Sequence, residues 1–118
     1  ATDIDAVISL RTPECVHKML PKTLGIPEKD NKGIADLLEQ VVLKEFRKFS
    51  VWLVEGEVPI VDETNRKVVL HAKSRGESDK GLYENEYFFN LTTNEDGTRL
   101  TEVIEFMDSA CLKEFHAR

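Results

Sequence analysis

Residues 83–108 read YENEYFFNLTTNEDGTRLTEVIEFMD, and the fold follows from this stretch. Asn94-Glu95-Asp96-Gly97 is a tight turn between two runs of period two, the signature of antiparallel strands. In the first run, Tyr83 to Thr93, one face presents Tyr83, Asn85, Tyr87, Phe89 and Leu91. The other face presents Glu84, Glu86, Phe88 and Asn90. In the second run, Arg99 to Asp108, Thr101, Val103, Glu105 and Met107 alternate with Leu100, Glu102, Ile104 and Phe106. Both faces of this second strand are substantially apolar, and a solvated outer face has no need of Ile104 and Phe106. Either a closing helix covers them or a second copy of the chain does. The residues favour the second copy, a homodimer packed through the outer sheet face.

Working backwards, Lys67 to Ser74 is a strand with Val68, Leu70 and Ala72 on one face, and Asp62-Glu63-Thr64-Asn65 is the turn before it. Phe49 to Val61 is β-rich. Arg75 to Gly81 reads as a polar loop. Asn31 to Phe46 is the clearest helix, with Ile34, Leu37, Leu38, Val41, Val42 and Phe46 on one broad face. Pro21 to Asp30 is loop, and Cys15 to Leu20 a short extended piece. Asp3 to Arg11, with Ile4, Val7 and Ile8, looks like the last turns of a helix closed by Thr12-Pro13, and the first helix reads as truncated. Working forwards, Asp108-Ser109 can cap a short helix containing Ala110, Leu112 and Phe115. Helices followed by a four-stranded antiparallel meander make a single α+β domain over residues 1–118.

The bulk composition narrows the function. A net charge of −6 on 118 residues argues against nucleic-acid and anionic-membrane partners. No apolar run approaches the roughly 20 residues needed to span a bilayer. The opening Ala1-Thr2-Asp3-Ile4-Asp5 is no signal peptide, which predicts a cytoplasmic protein. Cys15 and Cys111 form no CxxC and read as reduced thiols. His17, His71 and His116 show no metal-ligand spacing, so no metal site is expected. No glycine-rich phosphate loop and no GxSxG occur, which predicts chemistry without a cofactor or a serine nucleophile.

The run Gly81-Leu82-Tyr83-Glu84-Asn85-Glu86-Tyr87, the turn at Asp96-Gly97 and the ending Glu105-Phe106-Met107-Asp108-Ser109-Ala110 resemble fungal SnoaL-like proteins. So do Arg11-Thr12-Pro13-Glu14-Cys15 and the loop from Leu20-Pro21 through Leu24-Gly25-Ile26-Pro27. These proteins belong to the nuclear-transport-factor-2-like superfamily, and the resemblance spans essentially the whole chain. It implies a cone-shaped α+β barrel in which a curved sheet and helices surround an apolar pocket. Members include cyclases, dehydratases, isomerases and binding modules without catalysis, so fold alone does not give function. Polar residues inside the cone act as acid and base in the pocket enzymes. The matching positions here are Arg11, Tyr83, Tyr87 and Glu105.

The residues themselves add to that implication. Glu105 has mostly apolar alternation partners, so its carboxyl points where water is scarce and can serve as a proton carrier. The rival reading is a hydrated carboxylate at the sheet rim. Arg11, placed where the first helix ends, can hold an oxyanion or pair with Glu105. It can equally be a structural cation at a helix end. Tyr83 and Tyr87 point the same way, about 13 Å apart along the strand, and offer donors to a substrate in an apolar pocket. Their alternative is a place in the aromatic core. His17 alternates with Cys15 and Met19 and is read as an inward substrate-binding group or second proton carrier. Trp52 is read as a cavity wall. Two functions stay open: a cofactor-free isomerase or cyclase acting on a small apolar secondary-metabolite intermediate, and a non-catalytic dimeric module that binds a hydrophobic molecule or a protein partner.

Overall fold

The computed structural model describes residues 3–118; Ala1 and Thr2, part of the opening read as lacking a leader, lie outside the described residues. Helix α1 (Ile4–Ser9) starts at Asp3, whose carboxylate accepts a hydrogen bond from the Ala6 amide at 3.1 Å. Strand β1 follows at once (Arg11–Leu20). Next comes a long helical segment: α2 (Asn31–Leu37), a π-helical stretch (Leu38–Val42) and the short α3 (Leu43–Glu45). Strands β2 (Arg47–Leu53), β3 (Ile60–Asp62), β4 (Lys67–Ser78), β5 (Gly81–Thr93) and β6 (Leu100–Met107) complete the sheet. Helix α4 (Ser109–His116) closes the described chain, with Asp108 accepting from the Cys111 amide at 3.2 Å.

The sheet order is β1-β6-β5-β4-β2, with β3 also paired to β4. The α+β class and the curved sheet stand, with two corrections. The described sheet has six strands rather than four, and it is not wholly antiparallel, because β1 runs parallel to β6. The segment Arg11 to Leu20 was divided by its pattern into a helix end, a Thr12-Pro13 break and an extended piece, yet it is one strand. The break is a bulge: Arg11 pairs with Leu100 and Val16 with Glu102, so three extra residues of β1 are accommodated between them. Pro13 cannot donate to a ladder, which confines it to such an irregularity.

A further correction concerns Arg75 to Gly81. It is no loop; β4 continues to Ser78, and only Asp79-Lys80 turns before Gly81, whose φ of +102° suits glycine. The period of two persists here through Ser74, Gly76 and Ser78, all buried, but none is an apolar marker. Gly76 is small because aromatic rings lie against it. A Cβ on Gly76 would sit 2.7 Å from the Phe46 ring and 2.8 Å from that of Phe49.

The concave face holds the core. Ala72, Tyr87 and Met107 pack with Met19, Leu24, Phe89 and Leu112. At one end Phe115 from α4 is fully buried against Tyr83 and Phe46, with ring centroids 4.9 and 5.5 Å away. Burial of such a ring is worth about 1.5–3 kcal/mol. Helix α4 therefore covers the inner side and leaves the outer side bare, where Phe88 and Phe106 are each about half exposed. On that outer side His71 stacks on Phe88 at 4.7 Å between the carboxylates of Glu57 and Glu86. No helix among the described residues is long and apolar enough to cross a membrane.

Gly76→Ala should destabilise the fold by about 1–3 kcal/mol through overpacking against Phe46 and Phe49. Urea unfolding followed by circular dichroism measures it, and an unchanged midpoint would mean that the rings move aside freely.

Candidate active site

The space between the concave sheet and the α2–α3 segment forms two chambers of about 480 and 420 Å³. They share Met19, Leu37, Val42, Phe49, Tyr87 and Glu105, so these residues form the waist between them. The first chamber reaches a charged rim where Lys80 and Glu45 lie 4.0 Å apart. The second extends to Arg11, His17, Ile34 and Phe89. Chambers of this size, apolar apart from a few polar groups, suit a small organic molecule.

Arg11, Cys15, His17 and Met19 enter the interior from β1. The bulge turns Arg11 inward, and alternation then carries Cys15, His17 and Met19. Arg11 is thus a strand residue rather than a helix-end cation. Its Nη1 is buried and has no hydrogen-bond partner. Burial pulls the guanidinium below its ordinary range while Cys15 and Glu105 pull it back; a guanidinium nonetheless keeps its charge. The same burial pushes the Cys15 thiol up.

Glu105 comes from β6, between the buried Val103 and Met107. Its Oε1 lies 2.9 Å from His17 Nε2. Among the described residues no ion pair joins it to Arg11; the partner it finds is the histidine. The adjacency of β1 and β6 explains this, since His17 pairs with Val103 and Met19 with Glu105.

The tyrosines descend from β5. Tyr87 Oη lies 2.6 Å from Ser74 Oγ, and Tyr83 Oη accepts from Asn85 Nδ2 at 2.6 Å. Burial pushes both phenols above their ordinary value of 10.0, Tyr87 the further. Both therefore stay neutral and able to donate. Trp52 is not with them. It pairs with Lys73 on the convex side of β4 and is a little under half exposed, outside both chambers. Its neighbours Phe49, Ser50 and Val51 line the second chamber instead. Sequence reading also passed over Ser74 and Asn85 as site residues. Asn85 was visible between two inward tyrosines, whereas Ser74 was hidden by ending its strand there.

One carboxylate, one guanidinium with a spare donor and two neutral phenols thus surround an apolar space. That set can move a proton and hold developing charge on oxygen.

No protein-family model matches the sequence. The chain is 36% identical over 108 residues to austinoid biosynthesis cluster protein H of Aspergillus calidoustus, covering 92% of this chain and 74% of that protein. Its fold superposes on the crystal structure of BvnE pinacolase from Penicillium brevicompactum with a TM-score of 0.91 and 43% identity, over 97% of this chain and 80% of that one. The chain belongs to the fungal SnoaL-like family. A SnoaL-like polyketide cyclase from Shewanella putrefaciens shares the fold alone, with a TM-score of 0.73 at 12% identity, over 98% of this chain and 85% of that one. The family is one of biosynthetic enzymes, BvnE pinacolase among them, which gives the chain a tailoring role in secondary metabolism.

Because the protein has only two tyrosines, phenolate absorbance reads this site directly. The phenols are raised in the folded state, so their contribution to stability is complete below pH 10 and declines as pH rises above it. The native protein should show less phenolate signal at pH 10 than the urea-unfolded chain, which is about half ionised there. Equal titration of the native and unfolded forms would mean that the hydroxyls are solvated.

Proposed function

We propose that the protein is a cofactor-free isomerase or cyclase that rearranges a small, largely apolar secondary-metabolite intermediate. One observation carries this reading: Glu105 stands at the waist common to both chambers, with the unpartnered Nη1 of Arg11 on the second. Apolar walls on either side would hold the substrate in one reactive geometry. Glu105 would take a proton from one atom of the substrate and return it to another, so that the product keeps the substrate's mass. Arg11 and the phenols of Tyr83 and Tyr87 would stabilise charge on a substrate oxygen meanwhile.

The test is to incubate extracts of the source organism with wild-type protein or Glu105→Gln, followed by liquid chromatography with mass detection. A metabolite that shifts retention at constant mass, with Glu105→Gln slower by about 10²- to 10⁴-fold, supports the reading. If neither protein changes any metabolite while native mass spectrometry shows a retained small molecule, the chain is a binding module.

We further propose that it works as a homodimer through the outer sheet face, supported by the exposed Trp52, Phe88 and Phe106 there. Light scattering should give twice the 13.5 kDa chain mass for the wild type and the single-chain mass for Phe88→Lys. A monomeric wild type would overturn this.

A further inference from the structure

We infer that His17 is the positioning residue for Glu105: it donates from Nε2 to the carboxylate, holds it as the proton acceptor, and leaves Oε2 facing the substrate. The inference rests on Glu105 being the proton-transfer group, and it replaces direct substrate binding by His17.

The imidazole is held through its backbone and through Nε2. Its backbone exchanges hydrogen bonds with Lys29, the His17 amide donating at 2.8 Å and the Lys29 amide at 2.9 Å. Its ring is almost fully buried, and its Nε2 is taken up by Glu105 Oε1 at 2.9 Å. The remaining ring nitrogen, Nδ1, is shielded from solvent and has no partner. With Nε2 committed to Glu105, the ring acts through the carboxylate.

The orphaned nitrogen also decides where the ring proton sits. A proton on Nδ1 would be a buried donor with nothing to accept it, as it would be in the imidazolium. A bare lone pair there is the cheaper state. The neutral ring therefore carries its hydrogen on Nε2 and donates it to an ionised Glu105. The groups facing the pair are consistent with a carboxylate: Arg11 from β1, and the neutral Tyr83 and Tyr87 from β5. From α2, Ile34 and Leu37 are apolar. Among the described residues no protein donor reaches Oε2, which leaves that oxygen free. Glu105 thus begins as a base, and the first proton step removes a proton from the substrate.

The test has one arm without substrate and one with it. In ¹⁵N-histidine-labelled protein, ring-nitrogen NMR should show one of the three histidines as the Nε2–H tautomer, absent from the His17→Gln spectrum. In Glu105→Ala that resonance should lose its tautomer preference. A protonated Nδ1 in the wild type would overturn the inference, whatever the activity assay finds. With the metabolite that the wild type converts, His17→Gln keeps a donor and should retain kcat within a few-fold. His17→Phe should lower kcat by about 10- to 100-fold with KM unchanged, and move the acidic limb of the pH profile upwards. Equal activity of the glutamine and phenylalanine variants, both folded by thermal melt, would reduce His17 to packing. Should His17→Phe fail to fold, the tautomer measurement on the wild type and Glu105→Ala still decides.

Discussion

A parallel strand pair needs a crossover, and here the crossover from β1 to β6 takes in everything between residues 20 and 100. That pairing joins the two ends of the sequence at one edge of the sheet. It sets His17 beside Glu105 and brings Arg11 into the same chamber. Without it, the carboxylate would lie on an open edge strand in contact with water, and the guanidinium would have no enclosed place to occupy. Local structure contributes less: α1 is only six residues long, and α2 is interrupted by the π-helical stretch. The site is thus a product of the most non-local strand pairing among the described residues.

This explains which parts of the fold the sequence declared. The hairpin around Asp96-Gly97, the inward set Tyr83, Asn85 and Tyr87, and the Asp108 cap are all written in local patterns of period two or in capping chemistry. The inward alternation of Cys15, His17 and Met19 was equally plain. What could not be read was that this segment pairs with residues more than eighty positions later. A bulge at Pro13 looks the same as a break when the partner strand is unknown. The far half of β4 was hidden for a different reason. Its inward positions are Ser74, Gly76 and Ser78, of which Gly76 makes room for Phe46 and Phe49, and hydrophobic periodicity cannot see a position defined by smallness.

The candidate site was legible to the same extent. Glu105, Tyr83 and Tyr87 follow from strand alternation, and Arg11 arrived with the resemblance although its local structure was assigned wrongly. Trp52 failed because β2 has a shifted register between Arg47 and Ser50, which removes the local rule for deciding a face. The partnership of His17 with Glu105 has no sequence signature at all. It is a product of the parallel register and of burial, and it leaves Nδ1 without a neighbour.

The π-helical stretch has its own effect on the cavity. Leu37 and Val42 are five residues apart and both reach the waist, a spacing that a helix of 3.6 residues per turn would send to different sides. The amide of Leu43 reaches back to the carbonyl of Leu38, which widens the turn by one residue. Ile34 and Leu38 face only the second chamber, while Gln40, Val41 and Lys44 face only the first. The roof therefore behaves as two short panels hinged on a shared ridge. Side chains on one panel can be exchanged to suit one end of a substrate while the other end, and the acid–base groups beneath the ridge, are left as they were.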